Sequence, residues 1–231
     1  MSAWHTLRVA SVAPAADGLT EFSLDLRGTP LAGTHRIPGQ YVHLALPGLE
    51  DKAPFAIASP PQVGHVHWDF LLKTGRPLPE ALALLSPGAE VLAGEPEGRG
   101  FPLERAHGRN LLLFATGSGI SPIRSVIESV RLERAAYRKV TLYFGARTPT
   151  AFAYSNDFAH WEAAGIRVVR TVSQPGASGW QGLTGYVQAH LGEEPLGPCM
   201  AFVCGQGSMV QGVMSTLAER GIARDDISLN Y

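Results

Sequence analysis

Four apolar runs of strand length, at residues 111–115, 140–144, 166–172 and 201–204, alternate with helical patterns at 121–137, 156–164, 186–191 and 209–220. Runs of this kind suit parallel strands, because helical crossovers cover such a sheet on both faces and leave its strands no wet side. Gly165 and Gly221 stand where a C-terminal helix cap belongs. From residue 110 onward the chain therefore reads as a doubly wound α/β unit.

The first half has a different rhythm. Alternation marks strands at 19–26, 41–46 and 66–72, Pro-Gly steps at Pro38-Gly39, Pro47-Gly48 and Pro87-Gly88 separate them, and only 79–85 reads as a short helix. Several short strands with frequent turns imply a sandwich or small closed barrel. The change falls in the Pro- and charge-containing stretch 101–109, which divides the 231 residues into a β domain at 1–105 and an α/β domain at 106–231.

Composition narrows the function. With 45% hydrophobic and 17% charged residues the chain buries a full core, and 19 Lys and Arg against 20 Asp and Glu give no electrostatic footprint for nucleic acid. No apolar run approaches the ~20 residues of a membrane span and no leader pattern opens the chain, so a cytoplasmic protein is expected. Cys199 and Cys204, five apart in one strand pattern, face opposite sides and cannot bridge. Two cysteines cannot ligate zinc or an iron–sulfur cluster, and His65 and His67 alternate with no further ligands, so no metal is assigned and any redox chemistry falls to an organic cofactor.

The segment carrying most chemistry is 111–122, a buried strand running through Thr116-Gly117-Ser118-Gly119-Ile120-Ser121-Pro122 into a helix. Gly117 and Gly119 allow close backbone approach, Pro122 suits a first helical turn, and the unpaired N–H groups of a helix start attract a pyrophosphate. This is not G-x-G-x-x-G, since Pro122 holds the third position and no acidic residue ends the second strand. A second turn, Cys204-Gly205 with Met209 following, ends a later strand at the same edge of such a sheet.

In these motifs, taken in order with Pro38-Gly39-Gln40-Tyr41, nearly the whole chain resembles the ferredoxin–NADP reductase superfamily. The resemblance implies an antiparallel flavin-binding β-barrel followed by a doubly wound parallel-sheet nucleotide-binding domain. It gives Thr116 to Pro122 the nucleotide pyrophosphate (T-G-x-G-[IL]-[AS]-P) and puts Cys204, Gly205 and Met209 (C-G-x-x-x-M) near the nicotinamide. It further implies an enzyme that passes hydride from NAD(P)H to bound FAD, with FMN ranked second, and electrons on to an unidentified acceptor. Thr116, Cys204 and Tyr231 are the residues it puts at hydride transfer.

The flavin motif departs from the family's R-x-Y-[ST]. The matching segment, Ala53-Pro54-Phe55-Ala56-Ile57, keeps one aromatic ring at Phe55 while Ala53 cannot neutralise a phosphate and Ala56 cannot donate a side-chain hydrogen bond. Either backbone donors and the cations Lys52, Lys73 and Arg76 substitute, or flavin affinity is low. A second phosphate segment, Gly75-Arg76-Pro77-Leu78-Pro79, has Pro79 near the family's serine, leaving the start of the short helix beside Arg76 as the available donor.

On the nucleotide side, Ser173-Gln174 stand where members selecting a 2′-phosphate carry Ser-Arg, so Arg147 is the best remaining cation and both NADH and NADPH are expected to serve. Tyr186-Val187-Gln188 is similar to a Y-V-Q of plant-type members, whose tyrosine stacks on adenine and whose glutamine bonds the nucleotide. The terminal Tyr231 is similar to the flavin-covering tyrosine of the same members. A second reading, drawn from the altered flavin motif, is a non-catalytic nucleotide-binding or regulatory module of the same fold that has lost tight flavin binding.

Overall fold

The computed structural model describes residues 3–49, 51–62, 64–193 and 196–230. Twelve strands and four α-helices are found among them: β1 (His5–Ala16), β2 (Leu19–Asp25), β3 (Tyr41–Ala45), β4 (Lys52–Ala56), β5 (His67–Lys73), α1 (Pro77–Ala83), β6 (Glu90–Ala93), β7 (Asn110–Thr116), α2 (Ile120–Leu132), β8 (Val140–Ala146), α3 (Phe158–Ala163), β9 (Ile166–Val172), β10 (Leu183–Thr184), β11 (Cys199–Cys204), α4 (Gly207–Glu219) and β12 (Ile227–Leu229).

The first six strands form an antiparallel sheet in the order β4-β3-β6-β1-β2-β5. Its two edges meet just past β4, where the Ala58 N–H donates to the Asp69 carbonyl at 2.7 Å and the Asp69 N–H donates to Ser59 Oγ at 3.1 Å. Alternation drives this curl: Leu7, Val9, Phe22, Leu24, Val42, Leu44, Trp68 and Phe70 all turn into one core. Strand β1, the longest of the six, is not marked by alternation because its register shifts at Val9/Ser11 and again at Pro14/Ala16, and each bulge changes which residues face inward.

The other six strands form a sheet in the order β10-β9-β8-β7-β11-β12, and every pairing in it is parallel. One face is covered by α2 and α3 over Leu113, Leu142 and Phe144, the other by α4 over Phe114, Tyr143 and Val203. Cys199 packs into the second core and Cys204 against the first, so the two thiols lie on opposite faces and both are free. Strand β9 differs from the expected doubly buried run. Arg167 and Arg170 are exposed, and the Arg170 guanidinium lies 5.5 Å from the Phe158 ring centre and 5.8 Å from that of Trp180.

Helix α2 buries Ile123, Val126, Ile127 and Val130, the spacing of one helical face. It stops at Leu132, short of the expected 137, and a 3₁₀ turn at Arg134–Ala136 follows, held by the Arg134 guanidinium donating to the Gly165 and Tyr137 carbonyls. The helix expected at 186–191 is a single 3₁₀ turn, Val187–His190, because Gly185 and Gly192 on either side take positive φ of 94° and 73° and break the helical path. Between β6 and β7, Phe101 stacks on Phe202 at 4.9 Å and Ala106 packs in the same α/β core, which also takes Leu19, Ala58 and Leu71 from the barrel side.

Candidate functional site

In the parallel sheet the chain moves outward from β7 through β8 and β9 on one side and through β11 and β12 on the other. A crevice opens where an α/β sheet reverses its strand order, at the C-terminal strand ends. Two turns occupy it: the 3₁₀ turn Gly117–Gly119 between β7 and α2, and Gly205-Gln206 between β11 and α4. They are tied together, since the Gln206 N–H donates to Thr116 Oγ1 at 3.1 Å. The first N–H groups of a helix have no partner inside it, so the start of α4 presents donors to the crevice, whereas the Ile120 N–H at the start of α2 turns back to the Gly117 carbonyl and the donors on that side are those of the glycine turn itself.

The glycines divide by what lies beside them. A β-carbon on Gly119 would lie 2.4 Å from the Cys204 carbonyl oxygen and 2.8 Å from Gly205 Cα, so this glycine serves contact between the turns. One on Gly205 would strike Thr116 Oγ1 at 2.2 Å and Met209 Cε at 2.5 Å. Gly117, at φ +54° with nothing near its missing side chain, is the glycine that leaves the crevice open.

Two cavities flank these turns. One, of about 660 Å³, lies between barrel and sheet, with Phe55, Ala56, Lys73, Gly75 and Arg76 on one side and Thr116 to Gly119, Pro122, Cys204 and Gly205 on the other. The second, of about 1000 Å³, is lined by Arg147, Ser173, Tyr186, Gln188 and Met209. Lys73, Thr74, Thr116, Gly117, Ser118 and Gln206 border both, so the two are continuous. Volumes of this order hold small molecules and cofactors.

The barrel side of the first cavity is apolar and poor in anion donors. Phe55 is 9% exposed and packs partly in the barrel core, and the Ala56 carbonyl already accepts from Ser121 Oγ at 2.9 Å. Helix α1 starts at Pro77 rather than near Pro79, and these two prolines remove N–H groups from its first turn. The Gly75 N–H donates to Glu80 Oε1 at 2.9 Å. The start of this helix therefore offers little to a phosphate, contrary to the sequence expectation. Lys52 lies over the Trp4 ring at 5.9 Å and borders neither cavity, which leaves Lys73 and Arg76, both exposed. Ile57 and Ile120, both named from their motifs, are fully buried and reach neither cavity.

Cys204 carries a neutral thiol: burial pushes it up to about 11, against the hydrogen bond of the Asn230 side chain, which lowers it. In the second cavity Arg147 Nε donates to Gln174 Oε1 at 2.7 Å at the exposed rim. Tyr186 is 69% exposed, and the Gln188 side chain packs beside Gly212 of α4 with its Oε1 buried and unpartnered. Tyr231 lies outside the described residues.

Sequence reasoning did not single out the side chains that hold the site together. On α2, Ser121 donates to the Ala56 carbonyl and Ser125 to the Ser59 carbonyl at 2.8 Å. Between them Arg124 donates to the Ala58 carbonyl at 3.4 Å. The helix that opens at the glycine turn is thereby fastened to the strand end carrying Phe55. Spacing of 1, 4 and 5 along a helix marks one face, but nothing local says that the face meets barrel carbonyls. Among the described residues, no cluster of His, Cys, Asp and Glu could hold a metal ion, and no helix is long and apolar enough to cross a membrane.

Comparison with known proteins agrees with this fold. Residues 113–215 match the model of the oxidoreductase NAD-binding domain. A fruit protein of Actinidia deliciosa, pKIWI502, is 31% identical over 97% of this chain and 76% of its own length. Ferredoxin–NADP reductase B of Sorangium cellulosum is 34% identical over 82% of each chain. Among solved structures, a ferredoxin NADP⁺ reductase of Neisseria gonorrhoeae with bound FAD and NADP superposes with a TM-score of 0.80 at 18% identity, covering 100% of both chains.

Proposed function

The chain belongs to the ferredoxin–NADP reductase family of NAD(P)H-dependent flavin oxidoreductases, and on that footing we propose that a flavin ring binds in the 660 Å³ cavity, NAD(P)H in the 1000 Å³ cavity, and the nicotinamide between them at Thr116 and Cys204. The observation that carries this reading is that the two cavities share Thr116, Gly117, Ser118 and Gln206 of the joined turns, so that ligands in the two can meet there.

When bound, the flavin supplies a ring that accepts hydride from the dihydronicotinamide. The protein supplies position. N–H groups of the turn Gly117–Gly119 and of the start of α4 face the nucleotide phosphates. Pro54, Phe55 and Leu71 give the ring an apolar wall, and the Thr116–Gln206 bond fixes the distance between the turns. The neutral Cys204 thiol puts no charge beside the reacting carbons. FAD is the flavin proposed, both NADH and NADPH are proposed as donors, and the acceptor of the electrons is not assigned.

The test is an equilibrium titration of the purified protein with FAD, followed by flavin fluorescence, then NADH and NADPH oxidation with ferricyanide as acceptor. Saturable quenching and flavin-dependent turnover support the reading. Absence of both would favour the second reading, a nucleotide-binding module without flavin, for which Ala53 and Ala56 are the supporting residues.

A further inference from the structure

Resting on that reading, we propose that flavin is an exchangeable substrate of this protein: NAD(P)H reduces it in the 660 Å³ cavity and reduced flavin then leaves into solution. The cavity is equipped for the ring and hardly at all for the phosphates. Pro54, Phe55 and Leu71 offer apolar surface, whereas Ala53 and Ala56 present only methyl groups.

Donors that could compensate are spent or missing. Pro77 and Pro79 strip the start of α1, and Glu80 both consumes the Gly75 N–H and sets a carboxylate at that rim. Lys52 is engaged with Trp4. Lys73 and Arg76 remain, and contacts made by exposed cations are weakened by water and salt. Each charge-assisted contact forgone amounts to about a ten- to hundredfold loss in affinity. Binding then rests on the isoalloxazine ring, which riboflavin, FMN and FAD share.

The balance is that of a two-electron transfer. The C4–H bond of the dihydronicotinamide breaks with its electron pair, the N5–H bond of the flavin forms, and water supplies the proton that N1 takes up. Oxidised nicotinamide and reduced flavin are the two products, and no further oxidant is needed within the protein.

The experiment is a set of equilibrium titrations of flavin-free protein with riboflavin, FMN and FAD, alongside the same titrations of Ala53→Arg. Dissociation constants for the three flavins within about tenfold of each other, and loss of FAD during gel filtration, are the expected results. Ala53→Arg should tighten FMN and FAD about tenfold or more and leave riboflavin unchanged. FAD retained through gel filtration, with riboflavin bound more than about a hundredfold more weakly, would overturn the exchange proposal and leave the proposed function standing. Failure of all three flavins to bind would overturn both.

Discussion

Gly119 and Cys204 meet backbone to backbone: a β-carbon on Gly119 would lie 2.4 Å from the Cys204 carbonyl oxygen. Neither partner is a flexible side chain, so the contact can be relieved only by moving one turn away from the other. Gly119→Ala should therefore destabilise the protein by about 1–3 kcal/mol and disturb both cavities, raising the nucleotide KM and weakening flavin binding together. Gly117→Ala strains a residue at φ +54°, at about 1–2 kcal/mol, but its methyl group projects into open space, so flavin binding should hold. Thermal unfolding and the two titrations separate the variants, and a Gly119→Ala protein with unchanged flavin affinity would refute the contact argument.

Arg124 is the second point at which the domains depend on one another. Its guanidinium lies 3.2 Å from Asp157, 3.6 Å from Asp69 of the barrel and 4.8 Å from the centre of the Tyr154 ring. Nearby Glu21 is raised by burial and lowered by Arg124. Removing the cation leaves three carboxylates facing one another, so Arg124→Met should cost about 3 kcal/mol near neutral pH. Protonation of Glu21, whose carboxyl burial already holds above the usual value, relieves part of that repulsion, so the deficit should shrink as pH falls. Denaturant unfolding at pH 8 and pH 5 checks this. A deficit that is constant with pH would mean that packing, and not charge, is what Arg124 supplies.

With NAD(P)H bound in the second cavity as proposed, nucleotide preference is predicted to turn on Arg147, held at the rim by Gln174. The parent should use NADH and NADPH with kcat/KM values within about tenfold of each other. Arg147→Ala should lower the value for NADPH by about tenfold and alter that for NADH by less than about twofold, because only the former carries a 2′-phosphate. Equal losses for both nucleotides would assign Arg147 to the shared part of the ligand.

His35 gives the fold a pH dependence of known sign. Burial lowers its pKa from the ordinary histidine value of 6.5 to about 4, opposed by its hydrogen bond to the Ile37 carbonyl and helped by nearby His65. The unfolded chain thus binds a proton near pH 6.5 that the folded chain refuses until about pH 4. The stability tied to neutral His35 is present above that window and is lost as pH falls through it, by about 3 kcal/mol in all. In His35→Gln this part of the slope should vanish when unfolding is followed from pH 7.5 to pH 4.5.

The parallel sheet, the order of its elements and the glycine turn at the end of β7 can be read from the sequence alone, because each rests on spacing within a few residues. Apolar runs must be covered, and a strand that turns through glycine into a helix leaves N–H groups unpaired whatever surrounds it. The curl of the first sheet was less legible, since the bulges in β1 break the alternation by which a strand is known. Which glycine faces a ligand and which faces a neighbouring turn was decided only in three dimensions. Gly117 and Gly119 are alike in sequence and differ in backbone, φ +54° against −63°, and in what β11 brings beside them. The same holds for Gly75, whose N–H the Glu80 carboxylate takes once α1 has formed, and for Ser121, whose hydroxyl finds the Ala56 carbonyl across 65 residues of chain. Periodicity reports the burial that local segments require. It carries no information on which distant group satisfies a donor, and that pairing is what shapes the floor of both cavities.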